Sequence, residues 1–247
     1  MRQFILFVII GFAAEMIDGT MGMAYGVSSN TFLRAAGVNS AVSSACVHIA
    51  ELFTTFVSGL SHFKLKNVSK DLFFKLLLPG IVGGALGAYL LVSFENNILD
   101  MLIDVYLIVM GVIIFTKAFK KPGTPREYGG YARILGFVGG FSDALGGGGW
   151  GPVVTSTLLA SEHDTRKTIG TVNTVEFFVT VAETTTFVAM LQDFRSYTGI
   201  ILGLIVGGVI AAPIGAVLCK KIPVRALLGI IGVLIIVLNV IKLVQHI

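Results

Sequence analysis

Two stretches decide the fold, DGTMGMAYG at 18–26 and DALGGGGWG at 143–151. They are one segment written twice, 125 positions apart, and the register holds far beyond them. Without a gap, Gly11, Phe12, Asp18, Gly22, Gly26, Leu33, Val47, Glu51, Phe53 and Thr55 fall on Gly136, Phe137, Asp143, Gly147, Gly151, Leu158, Val172, Glu176, Phe178 and Thr180. An Asp, three Gly and a Glu keep step, so apolar composition alone does not produce the match.

The 247 residues are 55% hydrophobic and only 13% charged, with a mean hydropathy of +0.88. A soluble domain carries about 25% charged residues. The runs at 72–94, 98–119, 197–219 and 224–244 each reach the ~20 apolar residues that cross a ~30 Å hydrocarbon core. They are continuously apolar rather than alternating, which excludes a β-barrel. The chain reads as an all-α polytopic membrane protein. Its net charge of +4 comes from Lys and Arg placed between spans, where they set topology rather than bind nucleic acid. Cys46 and Cys219 lie inside spans and form no ligand spacing, so neither a metal nor a cofactor is expected. The apolar N-terminus could pass for a signal peptide. Its repeat counterpart, 134–143, lies mid-chain, which assigns the segment to the fold.

Each half has the same four pieces: a Gly-interrupted segment (4–36; 134–160), a polar-bearing span (41–61; 168–191), a Gly-rich span (72–94; 197–219) and a plain apolar span (98–119; 224–244). A linker at 120–133, with Pro122, Gly123, Pro125, Gly129 and Gly130, separates a first repeat, 1–119, from a second, 134–247. After the second piece the first half is basic (Lys64, Lys66, Lys70, Lys75), whereas the second half is neutral (Asp193, Arg195). After the third piece the bias reverses, Glu95 and Asp100 against Lys220, Lys221 and Arg225. Opposite bias at corresponding loops means opposite orientation, so the halves are expected to be inverted repeats. Inversion requires an odd number of crossings per half. Three full spans satisfy this if the Gly-interrupted segment is re-entrant, with the linker cytoplasmic.

Four successive glycines, Gly146–Gly149, do not sustain a helix in lipid, because each costs about 1 kcal/mol relative to Ala. A short helix is expected to restart near Tyr25 in the first half and near Trp150 in the second, with Pro152 suited to its first turn. Free N–H groups at such a start, aided by the helix dipole, form an anion site. The substrate-contacting residues expected here are Gly22, Tyr25, Gly26, Gly147, Gly148, Gly149, Trp150 and Gly151. Tyr25 and Trp150 either line the cavity or pack on glycine. Asp18 and Asp143, at the breaks, read as caps for the next turn. The pairs Gly80/Gly84, Gly83/Gly87 and Gly199/Gly203 read as helix-crossing motifs.

The polar-bearing spans carry His48 and Glu51 in one half, Asn173, Glu176 and Glu183 in the other. His48 and Glu51 share a helix face, and Glu51/Glu176 and His48/Asn173 are repeat pairs. Carboxylates at membrane depth are functional or paired, so His48, Glu51, Asn173 and Glu176 are candidates for coupling or for polar lining. Glu15 and Arg34 have uncharged counterparts, Gly140 and Leu159, and Arg34 is read as interfacial. No H-E-x-x-H, G-x-S-x-G, P-loop or Cys/His cluster is present, so an enzyme is not expected.

The duplicated D-x-x-x-G-x-x-x-G segments, the second continuing as DALGGGGWGPVV, with the polar spans after them, resemble the sulfite exporter TauE/SafE family. The resemblance covers essentially the whole chain. It implies a multi-pass transporter of the prokaryotic inner membrane, an exporter of small anions such as sulfite, thiosulfate or sulfonates. Apolar inverted repeats with a site where they meet carry the same expectation of a secondary transporter by alternating access, with proton coupling open. A passive anion channel and a non-transport scaffold remain as alternatives. Expected partners are the anion and lipid, and homo-oligomerisation stays open.

Overall fold

The structure, a computed structural model, describes residues 2–94, 97–117, 119, 129–160, 165–191, 195–218 and 224–246. Most of the linker 120–133 and the loop charges Glu95, Asp193, Lys220 and Lys221 lie outside the described residues. Among the described residues there are helices and no strands. The first half comprises α1 (Arg2–Met21), α2 (Tyr25–Ala35), α3 (Ser40–Lys64), α4 (Lys70–Ser93) and α5 (Asn97–Lys117). The second comprises α6 (Tyr131–Gly146), a π-helical turn (Gly151–Thr155) leading into α7 (Ser156–Ala160), α8 (Thr165–Met190), α9 (Thr198–Leu218) and α10 (Val224–His246).

The two interrupted segments break at matching places. After α1 the backbone turns left-handed at Gly22 (φ 66°) and Ala24 (φ 100°), and helix resumes at Tyr25. After α6 it does so at Gly147 (φ 61°) and Gly148 (φ 146°), and Pro152 sits in the first turn of the helix that follows. Pro tolerates that position because its missing N–H would have no helical partner there. The 11 residues of α2 extend only about 16 Å, half a hydrocarbon core.

Polarity is inside out. Phe74, Leu78, Ile98, Ile134 and Ile230 are exposed, whereas Glu15, Asp18, His48, Glu51, Asp143, Glu176 and Glu183 are buried. Water would select the reverse, and lipid selects this. Four described helices are long and apolar enough to cross a membrane: Ser40–Lys64, Lys70–Ser93, Asn97–Thr116 and Thr198–Gly215. The protein is an all-α, multi-pass membrane protein.

The helix pairings respect the duplication. α1 packs on α9 and α6 on α4; α3 packs on α9 and α8 on α4; α3 packs on α8, and α5 on α10. Shifting by 125 residues exchanges α1 with α6, α3 with α8, α4 with α9 and α5 with α10, and the set of pairings returns to itself. The two self-paired sets run antiparallel. Ser69 N, just past α3, donates to Thr171 Oγ1 (2.8 Å), Ser58 accepts from Asn173 Nδ2 (3.0 Å), and Phe56 meets Phe177 at 5.4 Å between ring centroids. Going back along α3 thus goes forward along α8. Likewise Gly111 of α5 lies against Ile236, while Phe115, one turn on, lies against Gly232, one turn back.

Glycine permits the closest of these crossings. A Cβ at Gly11 would lie 2.6 Å from the Leu204 carbonyl oxygen, and one at its counterpart Gly136 would lie 2.8 Å from that of Leu76. Gly83 and Gly87 likewise face the Phe137 and Phe141 carbonyls, Gly80 and Gly84 make room for the side chains of Trp150 and Glu183, and nothing lies near Gly199, so only Gly203 of that expected pair serves a crossing.

Candidate functional site

The two breaks meet. A Cβ at Gly26 would lie 2.6 Å from the Gly148 Cα, and one at Gly148 would strike the backbone of Gly26 and Val27. Thr155 Oγ1, from the second short helix, donates to the Gly22 carbonyl at the first break (2.7 Å). Asn30 Nδ2, from the first short helix, donates to the Gly146 carbonyl at the second. Asn30 and Thr155 are repeat equivalents, so each half closes the open helix end of the other. The Asn30 side-chain oxygen accepts from Ser43, which fixes the amide for this task.

Around the junction the side chains are acidic. Asp18, Glu51, Asp143 and Glu176, two repeat pairs, line a space too tight for a water molecule, together with Gly26, Gly148, Gly149 and Gly151. Asp143 Oδ1 accepts from Gly149 N (2.6 Å) and Trp150 N (3.0 Å), and Asp18 accepts from Tyr25 N, the counterpart of Trp150 N. These are the amides expected to face an anion. They face carboxylates instead, which satisfy helix-start donors as well as any ligand would.

One imidazole stands among these acids. His48 Nδ1 is 2.7 Å from the Ser44 carbonyl, an acceptor only, so Nδ1 carries a hydrogen. Ser44 Oγ donates to the Ala144 carbonyl (2.7 Å), tying α3 to the end of α6. His48 Nε2 points to Glu183 Oε2 (3.0 Å), Asp143 Oδ2 (3.8 Å) and Glu51 Oε2 (3.9 Å). Its counterpart Asn173 hydrogen-bonds Ser58 and sits beside Gly22, so the junction is asymmetric in chemistry though symmetric in backbone.

Tyr25 and Trp150 are buried but turn away from the junction. Tyr25 donates its hydroxyl to Leu204 and packs near Gly208; Trp150 donates Nε1 to Val172 and packs on Gly80 and Gly139. Both pack on glycine. Gly147 sits beneath the Asn30 amide. Arg34, expected at the membrane interface, is buried in the protein, 2.5 Å from Asp104 and 3.7 Å from Asp100. A buried guanidinium needs such partners. Asp104 and Asn30 went unnoticed in the sequence; the charge of Asp104 within an apolar span was a usable signal, whereas Asn30 has a Thr as its counterpart and offered none.

The sulfite exporter TauE/SafE family model matches residues 7–241, nearly the entire chain. The chain belongs to the sulfite exporter TauE/SafE family. Within it, the probable membrane transporter protein YtnM of Bacillus subtilis (strain 168) is 38% identical over 97% of this chain and 82% of its own length. No solved structure matches. TauE/SafE membership and the helical, lipid-facing architecture make the chain a multi-pass membrane transporter.

Proposed function

We propose that this protein is a secondary transporter that exports a small sulfur-containing or organic anion, such as sulfite, thiosulfate or a sulfonate, across a prokaryotic inner membrane. It does so by alternating access at the junction of the two broken helices. The single observation that carries the reading is that junction, where each half caps the other's helix end and two repeat pairs of carboxylates converge at a buried centre. The antiparallel packing of α3 on α8 and of α5 on α10 supports inverted repeats, because equivalent helices related by a two-fold axis run antiparallel only when that axis is perpendicular to them. Half-length helices such as α2 support the re-entrant form of the first pieces. Inverted repeats around a central site are the architecture of alternating access.

The acids make coupling part of the proposal. Two like charges 4 Å apart repel by about 4 kcal/mol even at an effective dielectric constant of 20. An anion beside Asp18, Glu51, Asp143 and Glu176 would meet several such terms. It binds there only when carboxylates are protonated or matched by a cation, so anion flux is tied to cation or proton binding. In the proposed cycle the junction opens and the anion takes the backbone at Gly22, Gly26, Gly147, Gly148, Gly149 and Gly151 from the caps Asp18 and Asp143, and His48, Glu51, Asn173 and Glu176 carry the charge compensation. The acidic lining favours one other reading, a cationic solute.

The test is flux in proteoliposomes across sulfur oxyanions, sulfonates, carboxylates and small cations, with and without a pH gradient. A carrier saturates and shows trans-stimulation, whereas a channel does neither. Cation flux without anion flux, or no flux of any solute, would overturn the reading.

A further inference from the structure

We propose that His48 of α3, Asp143 of α6 and Glu183 of α8 form a binding site for a divalent transition-metal ion, with Glu51 in reach as a fourth ligand. The donors come from three helices, 95 and 40 residues apart in sequence, which is why no ligand spacing is visible in the chain. One nitrogen or oxygen from each of the three lies within 4.8 Å of the others, and all three residues are buried. Metal–ligand bonds of about 2.0–2.2 Å put neighbouring donors roughly 3–4 Å apart. The separations from His48 Nε2 are 3.0 Å to Glu183, 3.8 Å to Asp143 and 3.9 Å to Glu51.

The donors are aimed inward, at one another, and none has a hydrogen-bond partner outside the cluster. His48 Nε2, Asp143 Oδ2, Glu51 Oε2 and both Glu183 carboxylate oxygens are buried without one. Folded proteins rarely leave such atoms unmatched, because each has given up water for nothing. The far side of each ligand, by contrast, is secured. His48 donates Nδ1–H to the Ser44 carbonyl, and Asp143 Oδ1 accepts two backbone amides. Outer hydrogen bonds that fix the tautomer of a histidine and the orientation of a carboxylate are the usual support of a metal centre. With Nδ1 protonated, Nε2 faces a carboxylate oxygen 3.0 Å away, and two such atoms are held at that distance either by a proton on Nε2 or by a metal cation between them. One imidazole with carboxylates suits Zn²⁺ or Mn²⁺ rather than Na⁺ or Ca²⁺, which prefer oxygen alone, or Cu⁺, which prefers sulfur. Phe187 packs against the imidazole at 5.6 Å between ring centroids and dries the site on that side.

The inference does not depend on which solute is carried, and binding rather than flux reads it. The full chain in detergent micelles, stripped with a chelator, is dialysed to equilibrium against Zn²⁺ and its metal content measured. One Zn²⁺ per chain is expected, with affinity falling at least tenfold in His48→Gln and in Glu183→Gln, the size of loss that ligand or support changes produce. His62→Gln, which removes a buried histidine outside the cluster, should leave affinity within about twofold. If the cluster variants do not fold, Co²⁺ added to the wild type decides, since ligation by nitrogen and carboxylate alters its visible spectrum from that of the aqueous ion. No saturable Zn²⁺ and an unaltered Co²⁺ spectrum would overturn the site and assign the His48–Glu183 contact to a shared proton. Zn²⁺ binding that survives both cluster substitutions would overturn it too.

Discussion

Thr155 donates its hydroxyl to the carbonyl of Gly22, 2.7 Å away, and so ties the second repeat to the open end of α1. The bond replaces a helical partner that the break at Gly22–Ala24 removes. Asn30 returns it at the Gly146 carbonyl. Thr155→Val keeps the shape and removes the donor, leaving a buried carbonyl unmatched at a cost of about 1–3 kcal/mol. We expect a lower thermal midpoint and faster amide exchange over residues 20–26, with the rest of the chain unchanged. Equal protection in the variant would mean that the clamp contributes nothing.

Loop labelling tests the relation between the halves. Equivalent helices that pack antiparallel place Ser69 on one side of the membrane and Asn97 and Ser196 on the other. Single cysteines at Asn97 and Ser196 should react with an impermeant maleimide in intact cells, whereas one at Ser69 should react only once the membrane has been opened. Reaction of Ser69→Cys and Ser196→Cys from one side would end the inverted-repeat reading.

Much of this architecture was legible in the sequence. The 125-residue register marked both breaks, because Gly22 and Gly147 turn left-handed at matching positions. Loop charge and apolar length located α3, α4, α5, α8, α9 and α10. What register comparison could not show were contacts that join unlike residues. Asn30 and Thr155 do the same work with different groups, and His48 meets Asp143 and Glu183 only because three helices converge. Arg34 with Asp104 is a pair 70 residues apart, invisible to any local pattern. Asp143 accepts the amides of Gly149 and Trp150, donors that the sequence assigns both to a cap and to an anion.

Ala24 should be replaceable with profit. It holds φ 100°, a left-handed conformation that its Cβ disfavours by about 1 kcal/mol, whereas in the second repeat the second left-handed residue is a glycine, Gly148, one position earlier in register. Ala24→Gly is expected to raise unfolding stability by roughly that amount. Gly147→Ala should lower it by more, because a Cβ there meets the Asn30 amide at 2.5 Å in addition to the φ of 61°. Chemical denaturation in detergent measures both. Destabilisation by Ala24→Gly would show that Ala packing outweighs its strain.

Arg34 and Asp104 should behave as a unit. Arg34→Met leaves a buried carboxylate without its guanidinium and is expected to cost about 3–5 kcal/mol. Arg34→Met with Asp104→Leu removes both charges and should recover most of that loss. A double variant no more stable than Arg34→Met would show that the pair holds more than its own charges.

Glu51 and Glu176 are the duplicated acids that line the junction with Asp18 and Asp143. If they take up the charge that lets an anion approach, removing their charge should relieve repulsion and uncouple flux at once. Gln keeps the length and one acceptor, so Thr55 Oγ1, which donates to the Glu51 backbone carbonyl rather than its side chain, retains its bond in Glu51→Gln. The fold should survive. Anion binding should then strengthen or hold, while flux driven by a pH gradient falls by roughly tenfold, a loss of about 1.4 kcal/mol in coupling. Glu176→Gln should give a related but smaller defect. Glu51 faces His48 across 3.9 Å, whereas position 173 next to Glu176 offers a neutral amide that exchanges no proton. The measurement is paired, anion affinity in micelles and gradient-driven uptake in proteoliposomes from one preparation. Full gradient-driven flux in both variants would make the two acids structural, and would leave Asp18 and Asp143 as the charges an anion must overcome.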